Sequence, residues 1–482
     1  MDRLTRQEVA LLALDSARHP AHVGSVHVFD ADDLPGGAAL DHEDLLALVA
    51  ERIAYVPRFR QRVRAVPGGV SAPVWVDDAR FDLEFHLRRS ALPRPGTDHQ
   101  LREFLGRVMS RRLDRSRPLW ELYLVEGLAG GRFALVAKTH LALVDGSDTV
   151  DLGQVLLDEA PSDPVQATPP WTPAPEPSPV DLLVAAATDR VQHPVTVLDD
   201  AQRGLTAALG TAVAVGEVTG GIGAALGDLA SAALLGTAPS GTSPFLGTAS
   251  EQRRHAFVEA DLDDLRRVRD RLGHTINDVV LAVVAGGLRG WLQHRGARVD
   301  SVQALVPMSV VDDRDTPSSL GSRVAPHLTT LPVSEPRPAM RVHQIAISTQ
   351  AHKDTGRAVA ARTLSEIAGF APATLHALGV RAGQEAVRRR YDLMVTNVPG
   401  PQVPVYAGRT PLRVSHPVVP LTPGHLVAMG VTSYRGTVTF GLTGDRDEIA
   451  DIDVLAASLT DAVEELVTAA DSWDGSDQQG RR

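Results

Sequence analysis

The sequence of 482 residues contains no cysteine and only two lysines, Lys138 and Lys353. The lack of cysteine excludes disulfide bonds, thiolate zinc sites and a cysteine nucleophile. The formal net charge is -11 at pH 7 and no basic block occurs, so the electrostatic signature of a nucleic-acid-binding protein is missing. The phosphate-binding motif GxxxxGK, the nucleophile motif GxSxG and the zinc motif HExxH are also absent.

Long hydrophobic runs are missing too. The apolar run at residues 9–14 is too short for the core of a signal peptide, and the apolar segment that begins at residue 204 is interrupted by Glu217 and Asp228. We therefore expect a cytoplasmic protein without a membrane-spanning helix. The segment from residue 204 is interpreted as a packing helix or a flexible connector, with peripheral lipid contact as the alternative.

The composition and length predict a folded chain with two domains. Hydrophobic residues make up 43% and charged residues 22% of the sequence, values typical of globular proteins. The length is about three times that of an ordinary domain of roughly 150 residues. We predict α/β domains over residues 1–160 and 251–470, a connector over 161–250 that is first proline-rich and then alanine- and glycine-rich, and a disordered tail over 471–482.

Hydrophobic periodicity predicts the main elements of both domains. In the first domain, it indicates a helix at 44–53, a hairpin whose strands lie within 118–127 and 133–137, and a helix near 148–157. In the second domain, it predicts helices at 262–271, 277–294 and 452–466, and strands at 302–306 and 327–331.

The segment KTHLALVDG at 138–146 follows the second strand of this hairpin. Its histidine, His140, lies at a strand end, and the Asp145-Gly146 pair that follows is typical of a turn, with Asp145 holding the loop. A neutral imidazole at such a domain edge accepts a proton from an alcohol that attacks a thioester. The alternative is a hydrogen-bonded structural histidine.

This segment resembles the HHxxxDG motif of the bacterial wax ester synthase/diacylglycerol acyltransferase family, within the wider group of CoA-dependent acyltransferases and peptide-synthetase condensation domains. The resemblance covers nearly the whole chain, because further short motifs occur in the family's order. They are HVG at 22–24, PRFRQR at 57–62, HLR at 86–88, PLWE at 118–121 (Pro118, Leu119, Trp120, Glu121), NDVVLA at 277–282, GSRV at 321–324 and NVPGP at 397–401.

The sequence departs from the family at one decisive position. His140 occupies the place of the first motif histidine, and Leu141 stands where the family has the second, to which the general base is assigned. Leucine accepts no proton, and general-base catalysis contributes about 10²–10⁴-fold. Three explanations remain open: His140 is the base after a small loop shift, another histidine such as His274 or His22 reaches the site, or the protein binds acyl substrates without efficient turnover.

The resemblance implies an α/β fold of two chloramphenicol acetyltransferase-like domains with a tunnel between them. It implies O-acyl transfer from acyl-CoA to diacylglycerol or a long-chain alcohol, giving triacylglycerol or wax ester, without a metal or a cofactor. The resemblance also implies that the protein acts at a membrane or lipid-droplet surface. The candidate catalytic residue is His140, and the substrate-facing candidates are Asn277, Asp278 and Arg323. A helix cap at 277–278 and an ion pair at Arg323 are the structural alternatives.

Overall fold

The computed structural model describes residues 2–30, 40–144, 152–162, 171–192, 243–309, 324–353 and 391–473. Its strands are β1 (Asp2–Arg3), β2 (His22–Phe29), β3 (Gln61–Arg64), β4 (Val74–Asp77), β5 (Leu87–Ala91), β6 (Trp120–Glu126), β7 (Phe133–His140), β8 (Arg253–Asp261), β9 (Val302–Ser309), β10 (Val324–Leu331), β11 (Leu393–Val398), β12 (Tyr406–Ala407), β13 (Thr410–Val418), β14 (Val427–Tyr434) and β15 (Thr437–Asp445). Its α-helices are α1 (Arg6–Leu14), α2 (His42–Ile53), α3 (Leu83–His86), α4 (Asp98–Ser110), α5 (Leu152–Leu156), α6 (Pro179–Gln192), α7 (Leu262–Leu272), α8 (Ile276–His294), α9 (Pro338–Lys353) and α10 (Ile452–Asp471).

The first large sheet has the strand order β12-β13-β2-β7-β6-β5. The predicted hairpin is confirmed, since β6 and β7 pair antiparallel, and β7 also pairs antiparallel with β2. In that register His22 lies opposite His140. A small sheet, β1-β4-β3, lies beside the first large sheet in the same half of the chain.

The second large sheet has the order β10-β9-β11-β14-β15-β8. The helices and strands predicted for this half are confirmed, with ends that shift by a few residues: the helix predicted at 452–466 continues to Asp471, and the strand predicted at 302–306 continues to Ser309. Mixed α/β architecture is therefore what the sequence predicted.

Two strands of the second half complete the sheet of the first. Strand β13 pairs antiparallel with β2, and β12 adds to its outer edge. The sequence-based division placed these residues within a single domain at 251–470, whereas they extend the other sheet. Pairing between strands that are almost 400 residues apart leaves no local pattern to detect.

Helix α8 shows why the second half packs tightly. Its N-terminus carries a capping box, in which Thr275 accepts the N–H of Asp278 and Asp278 accepts the N–H of Thr275. Most of the helix is buried, and it packs on α10 through glycines. A Cβ atom on Gly287 would lie 2.6 Å from the side chain of Leu459, so only glycine permits this approach.

The seam between the halves is a continuous apolar core. Side chains of the first half, among them Leu11, Ala21, Val23, Leu141 and Ala142, pack in the same cluster as the core of the second half. Within the described ranges no single helix has the length and apolar character to span a membrane. Helices α7 and α8 have that length and apolar character only when taken together, and they are bent by 105° relative to each other.

Part of the predicted connector is structured, because α6 packs Leu182 and Ala186 against Val66, Val74 and Val76 near the small sheet. The helix predicted near 148–157 is observed as α5, from Leu152 to Leu156. Residues 145–151, the apolar segment from 204 and the tail from 474 lie outside the described residues.

Candidate active site

His140 ends strand β7 and caps the short 3-10 turn Leu141–Leu143 that follows it. Its Nδ1 accepts the backbone N–H of Ala142 at 3.0 Å, and its side chain is 1% exposed. Because Nδ1 uses its lone pair in this bond, the proton of the neutral ring lies on Nε2. Nε2 lies 3.9 Å from Oδ2 of Asp15.

Asp15, directly after α1, is the buried anion of this site. Its carboxylate accepts the N–H of Ala21 at 3.0 Å and bonds from Arg112 at 3.2 Å and Arg115 at 2.8 Å. Burial alone would raise the pKa of Asp15, but the charges of His140, Arg112 and Arg115 and the bond from Ala21 outweigh it and lower the pKa to about 2. Sequence reasoning missed this carboxylate, since an Asp at a helix end is an ordinary feature.

Burial lowers the pKa of His140 to about 4, against the attraction of Asp15 and with the help of Arg115 and Arg112. The ring is therefore neutral at pH 7. In this arrangement Nδ1 already accepts a hydrogen bond and Nε2 carries the proton, so the ring stabilises the turn, while its Nε2–H lies near the carboxylate of Asp15 without a hydrogen bond to it. For His140 to take a proton from an alcohol, one nitrogen would first have to leave its contact, and its assignment as the base stays a prediction.

Leu141 lies on the other side of the turn, and its side chain is fully buried. Its backbone N–H donates to the carbonyl of Ala21 at 2.9 Å. Leu141 faces a cavity of about 10 Å³ at the seam between the halves. The cavity is lined by Leu14, His19, Pro20, Ala21, Leu141, Pro420, Leu421 and Pro423.

This cavity lies where the family resemblance implies a tunnel, between the two halves and beside the histidine motif. Its volume is close to the smallest that holds one water molecule, roughly 10–15 Å³. A hydroxyl group is of the same size. The tunnel itself stays a prediction.

The two other histidines that the sequence analysis considered lie elsewhere. Nε2 of His22 is 2.7 Å from the carbonyl of Met109, and burial and the charge of Lys138 hold the pKa of His22 well below its usual range. His274 lies just before α8, with its ring 5.5 Å from that of His343. Burial and this neighbour lower the pKa of His274. Neither histidine lines the cavity beside Leu141.

The PLWE motif forms the wall behind His140. The carbonyl of Leu119 accepts the N–H of His140 at 2.9 Å, and Trp120 is buried with its Nε1 donating to the carbonyl of Phe59 at 2.7 Å. Trp120 is therefore a core residue. His86 stacks on Trp120 with ring centroids 4.6 Å apart.

Glu121 of the same motif pairs with two cations. It lies 2.9 Å from Arg88 and 3.6 Å from Lys138, whose ammonium group is fully buried and donates to the carbonyls of Val108 and Arg111. Burial lowers the pKa of Lys138 to about 8, against the attraction of Glu121. Short motifs that are distant in sequence, HLR, PLWE and KTH, thus form one packed unit beneath the site.

The candidates at the start of α8 have structural contacts. Asp278 is 3% exposed, caps the helix and accepts the hydroxyl of Thr349 at 2.7 Å, which confirms the capping alternative. Asn277 accepts a bond from the side-chain amide of Asn397 at 3.1 Å, which joins the NDVVLA and NVPGP motifs. Asp145, Gly146 and Arg323 lie outside the described residues, and their roles stay predictions. In the described ranges no group of three or more His, Asp or Glu residues is arranged to hold a metal ion.

Comparisons with known proteins agree with the sequence motifs. Residues 4–280 match the model of the wax ester synthase/diacylglycerol acyltransferase catalytic domain, and residues 320–467 match that of the WS/DGAT C-terminal domain. A probable diacylglycerol O-acyltransferase of Mycobacterium tuberculosis is 34% identical over 472 residues, which cover 97% of this chain and 96% of that protein.

Solved structures resemble the fold over its full length. The wax ester synthase/diacylglycerol acyltransferase from Marinobacter aquaeolei superposes with a TM-score of 0.63 at 25% identity, covering 97% of this chain and 100% of that chain. The first condensation domain of the CDA synthetase superposes with a TM-score of 0.52 at 16% identity, covering 97% and 96%. The second likeness concerns the fold alone.

Proposed function

The chain belongs to the wax ester synthase/diacylglycerol acyltransferase family, and we propose that it transfers a fatty acyl group from acyl-CoA to the hydroxyl of diacylglycerol or of a long-chain alcohol. The products are triacylglycerol or a wax ester. The observation that carries this proposal is the match to the family along nearly the whole chain, together with a cavity at the seam that the motif segment lines.

The proposed reaction is a direct transfer. The hydroxyl oxygen attacks the thioester carbonyl, the C–S bond breaks, and CoA leaves as its thiolate. The proton of the hydroxyl passes to a base and from there to the thiolate, so the products are an ester and the free thiol. Acyl-CoA is a substrate here, and neither a metal nor a cofactor takes part.

We place this reaction at a lipid surface, because both the acceptor and the product are insoluble in water. Helix α6 supports that placement. Its buried face packs on the small sheet, while Val180, Leu183 and Val184 on the opposite side are 65%, 41% and 59% exposed. Apolar side chains clustered on one exposed helix face favour contact with an apolar phase.

Release of CoA thiol from palmitoyl-CoA tests the proposal directly. The protein has no cysteine, so a thiol reagent added to the reaction detects only CoA. We expect release that depends on hexadecanol or dioleoylglycerol, with the ester visible by thin-layer chromatography. Release without an acceptor would indicate a thioesterase. Binding of palmitoyl-CoA with no release in the presence of either acceptor would indicate a lipid-binding homologue without turnover.

A further inference from the structure

We propose that His19 is the general base for acyl transfer, in place of the histidine that this chain lacks at position 141. This inference rests on the proposed function. Its basis is the wall of the seam cavity: of the eight residues that line it, His19 is the one with a titratable side chain. The others are leucine, proline and alanine. Among the residues that the structure describes, a hydroxyl that enters this space therefore meets a single side chain able to take its proton.

The loop that carries His19 is held close to Leu141. The carbonyl of Ala21, two residues further on, accepts the N–H of Leu141 at 2.9 Å. Two residues of extended chain span at most about 7 Å. The backbone of His19 is thus fixed within a short distance of the turn at which the family carries its base.

The same loop is anchored on its other side. Ser16 and His19 exchange two backbone bonds of 3.2 Å, and the N–H of His19 also donates to the hydroxyl of Ser16. The guanidinium of Arg253, from the second half, donates to the carbonyl of Arg18. His19 therefore sits in a tight turn that both halves hold, as the placement of a base within reach of a substrate requires.

Exposure separates His19 from the neighbouring histidines. The side chains of His140 and His22 are 1% and 2% exposed and do not line the cavity, whereas His19 is partly exposed and does. His140 holds the turn through Nδ1, and His22 contacts the carbonyl of Met109. In this proposal His140, at the end of the strand, is structural, and His19, on the loop beside the cavity, is catalytic.

The step that His19 performs is a proton transfer in both directions. As the acceptor oxygen forms its bond to the thioester carbonyl, the neutral imidazole takes the hydroxyl proton. When the C–S bond breaks, the imidazolium returns that proton to the sulfur of CoA. The imidazole is neutral again at the end, so the cycle closes without another reactant.

The test is His19→Gln, which keeps a polar side chain of similar length but removes the base. We expect kcat for acceptor-dependent CoA release to fall by about 10²–10⁴-fold, with KM for palmitoyl-CoA within about twofold of wild type. The matched control is His99→Gln, which replaces an exposed histidine in the first turn of α4 and should keep wild-type kcat. If thermal unfolding shows that His19→Gln is not folded, His19→Asn provides the same test.

Rescue distinguishes a base from a structural side chain. In the His19→Gln background, Leu141→His puts an imidazole on the facing wall of the same cavity and should restore kcat at least tenfold. Leu141→Gln in that background should restore nothing. A kcat that falls less than tenfold in His19→Gln, or a loss that Leu141→His does not reverse, overturns the assignment of His19 while the proposed function stands. A wild-type protein with no acceptor-dependent release refutes both.

Discussion

Replacing Asp15 by asparagine tests how much the buried cluster around His140 stabilises the fold. Asparagine has the same shape and still accepts the N–H of Ala21, but it carries no charge for Arg112, Arg115 or His140. The carboxylate of Asp15 is among the few buried anions of the first half, and its side chain is 3% exposed. The variant therefore removes the electrostatic contribution of one buried group and little else.

The magnitude follows from the pKa of Asp15, which falls from 3.8 to about 2 on folding. A shift of one pKa unit corresponds to about 1.4 kcal/mol, so ionised Asp15 contributes at most about 2–3 kcal/mol to the free energy of unfolding, because part of the shift comes from a protonated His140 ring, which is neutral at pH 7. Because the folded pKa is the lower one, this contribution is fully present above about pH 4 and is lost as the pH falls through about 2. At pH 3 roughly half of it remains.

Urea unfolding followed by tryptophan fluorescence measures the effect, since Trp75 and Trp120 are both buried in the first half. We expect Asp15→Asn to lose up to about 2–3 kcal/mol at pH 7 and about half as much, relative to wild type, at pH 3. Asp2→Asn is the matched control: Asp2 is 70% exposed, lies 3.5 Å from Arg58, and should contribute less than about 1 kcal/mol.

Two results would refute this reasoning. One is an Asp15→Asn variant as stable at pH 7 as Asp2→Asn. The other is a difference from wild type that stays constant from pH 7 to pH 3, which would mean that the lost stability comes from packing and not from charge. An unchanged rate of CoA release in a destabilised Asp15→Asn variant would further show that the cluster does not position the catalytic loop.

Three further predictions concern other parts of the molecule. Lys138→Met leaves Glu121 with Arg88 as its cation but removes the donor to the carbonyls of Val108 and Arg111, and urea unfolding should show a loss of about 1–3 kcal/mol. Gly287→Ala forces a methyl group to within 2.6 Å of Leu459 and should cost about 1–3 kcal/mol, seen as a lower melting temperature. Val184→Asp should reduce flotation of the protein with phosphatidylcholine vesicles that contain dioleoylglycerol, while Val184→Ala should reduce it less; equal flotation of both variants would count against the α6 surface.

Local patterns predicted the parts of the fold that depend on neighbouring residues. The hairpin of β6 and β7 follows from two apolar runs around a Gly130-Gly131 turn, and both glycines have positive φ angles, 74° and 68°. Helix α8 follows from the Thr275 cap and a long apolar run. In these elements, the information is contained within about 20 residues of sequence.

Contacts between distant segments could not be predicted in the same way. No local pattern indicates that β13 joins β2, or that an aspartate at the end of α1 meets two arginines after α4. The seam cavity combines residues 14–21, 141 and 420–423, which approach only in the folded chain. His19 was missed for this reason, since a histidine in a loop before a strand has no distinguishing sequence signal.

The side chains at positions 140 and 141 of the motif contribute to stability through different interactions. At position 140 the imidazole accepts the Ala142 N–H and lies beside Asp15, so its loss would leave this buried N–H without a partner and would cost about 1–3 kcal/mol. At position 141 the polar contact is made by the backbone N–H to Ala21, which any residue except proline can donate, and the side chain faces apolar neighbours. Leucine there removes no hydrogen bond of the fold and adds apolar burial. Stability therefore depends on the first position and not on the second, and an intact fold carries no information about whether a base remains. That question depends instead on the loop across the cavity from Leu141, where His19 lies.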